Sequence, residues 1–148
     1  MNLGVIMLDQ SLRDIIHTIQ KLIETTKLDI QSLAQADNEP IFQRLALKET
    51  LLKEFDKQKN LIDSQMLALK NKHPNQEFAE VLGQDILDLL DQFKQSLQEL
   101  KELNHGYARS VYAVSEFYTS LLRKIVPHEN LGYGGYAKPQ QSFLTIQV

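Results

Sequence analysis

Apolar residues recur at alternating steps of four and three along most of the chain, from Leu12 to Ile125. That spacing keeps one stripe of a helix turned toward a partner, and it does not fit the two-residue period of a strand. The first stretch, about Ser11 to Ala36, carries Leu12, Ile16, Ile19, Ile23, Ile30 and Leu33, with Thr26 in the remaining slot. Asp9 or Ser11 can cap its start. Asp37-Asn38-Glu39-Pro40 stops it and starts the next helix, since Asp and Asn cap helices and Pro suits a first turn. The second stretch, about Ile41 to Lys70, carries Leu45, Lys48, Leu52, Phe55, Lys59, Ile62, Met66 and Leu69. Two of those slots hold lysine, whose stem can cover apolar surface at a seam edge. Lys72-His73-Pro74-Asn75 closes the stretch, and Asn75 is the expected cap of the next helix.

The third stretch begins near Gln76 and meets no convincing stop before Pro127. Its seam is Leu82, Ile86, Leu89, Phe93, Leu97, Leu100, Asn104, Tyr107, Val111, Val114, Tyr118, Leu121 and Ile125. Two successive steps of four, Leu89 to Phe93 to Leu97, form a stutter that relaxes a left-handed supercoil. A helix of this length would be roughly 75 Å long, well beyond the first two. It either projects past its partners or reverses at Asn104-His105-Gly106. The seam keeps phase across Gly106, so a continuous or kinked helix is expected, with a glycine that costs about 1 kcal/mol. Short links make sequential helices antiparallel neighbours. The chain is thus expected to be all-α, an antiparallel helical bundle or coiled coil of three long helices over residues 1–126. The third helix is extended, and an irregular glycine- and tyrosine-containing tail occupies residues 127–148.

In that arrangement the half from Tyr107 to Ile125 has no intramolecular partner. Tyr107, Val111, Val114, Tyr118, Leu121 and Ile125 would then form an exposed apolar face, the usual mark of an interaction site. Alternatively this half packs back on the bundle or on a second copy, which leaves a homodimer open. From Pro127 onward the only formal charges are Glu129 and Lys138, and Phe143 to Val148 have strand character. Such a tail can stay unordered, fold back along the bundle, or order on a partner. Permanent exposure of Phe143-Leu144-Thr145-Ile146 would invite aggregation, so docking or a partner is the expected protection.

Chemistry is not expected. His17, His73, His105 and His128 are scattered, and none forms a metal-binding face. The chain has no cysteine, so disulfides and thiolate metal sites are excluded. Glu77, Glu80, Asp85, Asp88 and Asp91 lie where a helix start would favour negative charge, the alternative being an acidic docking patch. Gly132-Tyr133-Gly134-Gly135-Tyr136 has no strand before it and no Lys-Ser/Thr after it, so it is not a phosphate loop. No nucleophile–base pair can be read. The expectation is a non-enzyme without cofactor or metal. A net charge of −3 without a basic stripe argues against nucleic acid. Leu3 to Leu8 is apolar but short, with neither a basic flank nor a cleavage site, so it is not read as a signal peptide. No run approaches the roughly 20 apolar residues of a membrane span. A cytoplasmic protein without membrane insertion is expected.

The whole layout resembles the FlgN-type flagellar export chaperones, small all-helical cytoplasmic proteins of bacterial type III secretion. The likeness covers nearly the full length. It rests on the amphipathic first helix, Leu45-x-x-Lys48-Glu49-x-Leu51-Leu52 at the opening of the second, the long third helix, and Tyr133-Gly134 in the tail. The resemblance implies a non-enzymatic role. Such a protein binds the unfolded C-terminal ends of hook–filament junction proteins, prevents premature assembly, and delivers them to the export gate. It places client binding on Tyr107, Val111, Val114, Tyr118, Leu121, Leu122 and Ile125. It places docking to the cytoplasmic domain of the gate's membrane protein on Tyr133, with Gly134 permitting the turn. Tyr136 departs from the pattern, so the docking tyrosine stays open between Tyr133 and Tyr136. The alternative is a self-associating coiled-coil structural or scaffold protein.

Overall fold

The computed structural model describes residues 2–103 and 108–126, and every regular element among them is a helix. Five are present: α1 (Leu3–Ala34), α2 (Glu39–Lys72), α3 (Phe78–Leu82), α4 (Gln84–Glu102) and α5 (Ala108–Ile125). The all-α class is as expected. The number and course of the helices are not, because the expected third helix is three separate ones.

Helix α1 starts earlier than its pattern suggested. The Asn2 side chain accepts the Gly4 N–H at 2.9 Å and caps it. Asp9, the expected cap, lies inside the helix and pairs with Arg13 at 2.7 Å. The earlier start extends the seam to Leu8, and the buried stripe is wider than expected: Leu8, Leu12, Ile15, Ile16, Ile19, Leu22, Ile23, Thr26 and Asp29 are each no more than 5% exposed. Leu12, Ile19 and Thr26 belong to the expected seam as well. Ile16 and Ile23, also expected, are buried in the same core, whereas Leu33 is 54% exposed. Thr26 satisfies its buried hydroxyl by donating to the Leu22 carbonyl oxygen at 2.8 Å.

At its end α1 turns through Ala36, whose φ of 56° is left-handed. The Asp37 N–H reaches the Ser32 carbonyl oxygen at 2.9 Å and the Ala36 N–H reaches Leu33 at 3.0 Å, the two bonds of a Schellman cap. Helix α2 then returns antiparallel, with Pro40 in its first turn. Its core face matches the expected seam: Lys48, Leu52, Phe55, Ile62, Met66 and Leu69 are all buried, with Leu51 beside them. Leu45 is exposed and Lys59 half-buried.

The hairpin is polar near its tip. Asp29 and Lys48 are both buried, and the Asp29 carboxylate receives Lys48 on one oxygen and Arg44 Nε, at 2.6 Å, on the other. Arg44 Nη2 also donates to the Leu28 carbonyl oxygen at 3.1 Å and to Ser32 Oγ at 2.6 Å. A buried carboxylate is tolerated only with such close partners.

Gly83 ends α3 and precedes α4, with φ 83° and ψ 170°, backbone angles that side chains with a Cβ rarely adopt. This is the stop that the heptad phase concealed. Asn75 does not cap the next helix, because α3 begins at Phe78 with Glu77 at its cap position. Helix α4 runs parallel to α1. Lys27 Nζ meets Glu99 at 2.9 Å, 72 residues away, and Arg13 feels the charge of Asp85 at the same separation. Helix α5 then folds back. In a continuous helix Phe93 and Phe117 would be about 36 Å apart. Their ring centroids are 6.0 Å apart. The expectation of one extended third helix is therefore corrected. Gly106 itself lies outside the described residues.

Phe117 also meets Phe55 edge-on at 5.8 Å, and Lys124 pairs with Asp63. The two contacts advance together along both helices, so α5 runs parallel to α2. All five helices contribute to one apolar cluster. Phe93→Ala, at a fully buried position between Phe117 and Tyr118, is expected to cost about 3–5 kcal/mol. Leu33→Ala should stay within about 0.5 kcal/mol. Equal losses in urea unfolding would show that the seam is misplaced. Asp29→Ala removes the anion that Arg44 and Lys48 share and is expected to cost about 3–5 kcal/mol. A loss below about 1 kcal/mol would show that the cluster does not hold the hairpin.

Candidate partner-binding groove

The inner face of α5 is core. Val114, Phe117, Tyr118, Leu121 and Leu122 are all buried, and Val111 and Ile125 pack partly buried against them. Tyr118 stacks on Phe93 with centroids 5.5 Å apart and planes 22° from parallel. The structure thus brings together every expected site residue of this helix that it describes. It turns them inward, where the exposed-face reading placed them outward. The second possibility, that this half packs back on the bundle, is the arrangement found. Tyr107, Tyr133, Gly134 and Tyr136 lie outside the described residues, as does the whole segment 127–148.

What α5 leaves open is its flank beside α2. Between the two helices lies a hollow of about 310 Å³ whose floor is Phe55 and Phe117 and whose rim is Lys59, Asp63, Tyr112 and Glu116. A second hollow of about 320 Å³ continues along α2, lined by Met66, Leu67, Lys70 and Phe78. Asp63 borders both, and its ion pair with Lys124 stands between them. Both members of that pair are 37% exposed. The groove has a physical origin. Lys59 takes a seam slot of α2, so its apolar stem reaches toward α5 while its ammonium stays at the surface. On α5 the small residues Ala113 and Ser120 line the same hollow and do not fill it.

Tyr112 is 59% exposed on the rim. Its phenol donates a hydrogen bond to Glu116, and that bond, with the carboxylate's charge, raises its pKa above the ordinary tyrosine value. Tyr118 is raised further, to about 12, chiefly by burial and then by the charge of Asp91. The two phenols thus report opposite sides of one helix. Sequence reading missed Lys59, Asp63, Tyr112, Glu116, Met66, Leu67, Lys70 and Phe78 as groove residues. Lysine in an apolar seam slot at Lys59 was the one available signal.

Among the described residues no group of His, Cys, Asp and Glu side chains is placed to hold a metal ion. Among the same residues no helix is long and apolar enough to cross a membrane. The groove offers apolar contact, hydrogen-bonding rim groups and charge of both signs, which suits binding a peptide. Comparison with models of protein families, with curated proteins and with solved structures finds no match.

The raised Tyr118 pKa has a defined sign. A folded value above the ordinary one, about 10, favours the fold fully below pH 10, and the contribution is lost as pH rises through about 12. Denaturation midpoints are expected to fall over that interval, and the fall should shrink in Tyr118→Phe. An unchanged alkaline fall in the variant would show that another group controls it.

Proposed function

We propose that this chain is an export chaperone of the FlgN type. In this reading it acts in the cytoplasm, takes up the disordered C-terminal segments of hook–filament junction proteins, and hands them to the type III export gate. The α2–α5 groove is the observation that carries the reading. A chaperone for an unfolded client needs an apolar surface of modest size that a client segment can complete and later leave. The groove combines an aromatic floor with a polar rim, so a client can dock without separating the helices. Tyr133, with Gly134 and Tyr136 beside it, is the proposed docking element for the cytoplasmic domain of the gate. The reading needs no cofactor and no catalysis.

The resemblance alone would put the client on Val114, Tyr118, Leu121 and Leu122. Those side chains are in the core, so the proposed client surface is the Tyr112–Glu116 flank of α5 together with Phe55, Lys59 and Asp63. A second reading, a self-associating scaffold, is favoured by exposed apolar residues elsewhere, such as Leu3 at 68% and Phe42 at 71% exposure. Sedimentation decides between them: a monomer at all concentrations removes the scaffold reading.

The test is calorimetric titration of the full chain with C-terminal peptides of hook–filament junction proteins. Binding is expected, weakened at least tenfold by Tyr112→Ala combined with Glu116→Ala, two exposed positions whose loss should spare the fold. Tyr133→Ala should leave fold and peptide binding intact but abolish docking to the gate's cytoplasmic domain. Failure of the well-folded full chain to bind any of these peptides would refute the chaperone reading.

A further inference from the structure

The groove has a repeat and a polarity. Its first hollow is centred on α2 near Lys59 and its second between Met66 and Leu67. Seven or eight residues of helix separate those centres, a distance of roughly 11 Å. Two turns of a second helix span the same distance, so side chains seven apart on such a helix would meet the two hollows in turn. The charges divide along this axis. The first hollow is bordered by Lys59, Asp63 and Glu116, the second by Asp63, Lys70 and Lys124. With Asp63 and Lys124 neutralising each other between the hollows, Glu116 faces Lys59 at the first and Lys70 stands at the second, so the groove grows more positive from the first hollow to the second. The Asp63–Lys124 pair at the middle is partly exposed and links α2 to α5 directly over the gap.

We propose that the α2–α5 groove selects an amphipathic helical segment of a partner protein by spacing and by charge order. Two large apolar side chains seven residues apart enter the hollows. Basic residues flank the anchor over Phe55 and Phe117, near Glu116. Acidic residues flank the anchor over Met66, Leu67 and Phe78, near Lys70 and Lys124. Charge complementarity thus sets which way the segment lies, and the apolar anchors set its register. This inference rests on the proposed client-binding role of the groove, and it specifies the class of sequence that the groove accepts.

Two synthetic helical probes of identical composition test it. Both carry leucines seven apart. One has acidic residues around the first leucine and basic residues around the second, and the other has both anchors flanked by mixed charges. The full chain is expected to bind the polar-ordered probe at least tenfold more tightly. Leu67→Asp and Ser120→Trp change the second and first hollows at non-core positions, and each should weaken that binding tenfold or more. Leu45→Asp, exposed and away from the groove, should leave it unchanged. Lys70→Glu should erase the preference between the probes. Equal binding of the two probes, or hollow variants that bind as the parent does, would overturn the proposal.

The arms separate this inference from the role beneath it. Junction-protein peptides that bind a full chain carrying Leu67→Asp and Ser120→Trp as well as they bind the parent would leave the chaperone reading standing and remove this one. Probe binding without any junction-peptide binding would do the reverse. Other occupants have their own signatures. A dimer that Leu67→Asp dissociates in the absence of any probe would make the occupant a second copy and overturn the proposal. A tenfold gain in probe affinity on Phe143→Asp would make the chain's own end the occupant, with the same consequence.

Discussion

The buried carboxylate of Asp29 holds the α1–α2 hairpin in one alignment. Asp29 occupies a seam slot where leucine or isoleucine would pack better. There it is useful only if Arg44 and Lys48 arrive opposite it. An apolar seam tolerates slippage by a heptad, because leucine meets leucine in either alignment. A carboxylate that slipped by a heptad would be buried beside apolar neighbours, at a cost of several kcal/mol. Buried polar residues in helical seams are best attested in this role of setting register. Everything else in the bundle is laid against that hairpin: α4 along α1, and α5 against α2 and α4.

Much of the helical pattern was legible, and the failures have physical reasons. The α2 seam could be read almost residue by residue, since Leu52, Phe55, Ile62, Met66 and Leu69 are unambiguous and all buried. The phase of the last stretch was also right, with Phe93, Leu97, Val114, Tyr118 and Leu121 all in the core. What a seam cannot report is which element it faces. A face that packs inside the chain and one that waits for a partner have the same pattern. The break at Gly83 was hidden for a related reason: a glycine between two apolar positions keeps the count while changing the direction of the chain. In α1, placing the start at Ser11 left Leu8 out of the pattern, whereas Leu12, Ile16, Ile19, Ile23 and Thr26 were read correctly and are buried.

The same constraint divides the labour on α5. One side of the helix is needed to complete the core, so its large residues are not available to anything else. The flank toward α2 carries small residues and a tyrosine, and α2 answers it with a lysine in an apolar slot. Two helices that could have closed fully on each other are held slightly short of doing so, and the groove is the result. Aromatic rings at its floor are fixed by their contacts with Phe93 and with each other, so a segment that docked there as proposed would meet a preformed surface and lose less entropy on binding.

The parallel course of α4 along α1 also bears on how the chain reaches this arrangement. Arg44 is only 15 residues from Asp29, whereas Glu99 is 72 residues from Lys27. For a flexible chain, closing the longer loop costs about 1.4 kcal/mol more than closing the shorter one. Once the hairpin has formed, α2 carries the chain back to the start of α1 and the effective separation collapses. The topology therefore favours an order of assembly. The two long helices meet first, and their surface becomes the template on which α4, and with it the groove-forming α5, is laid down.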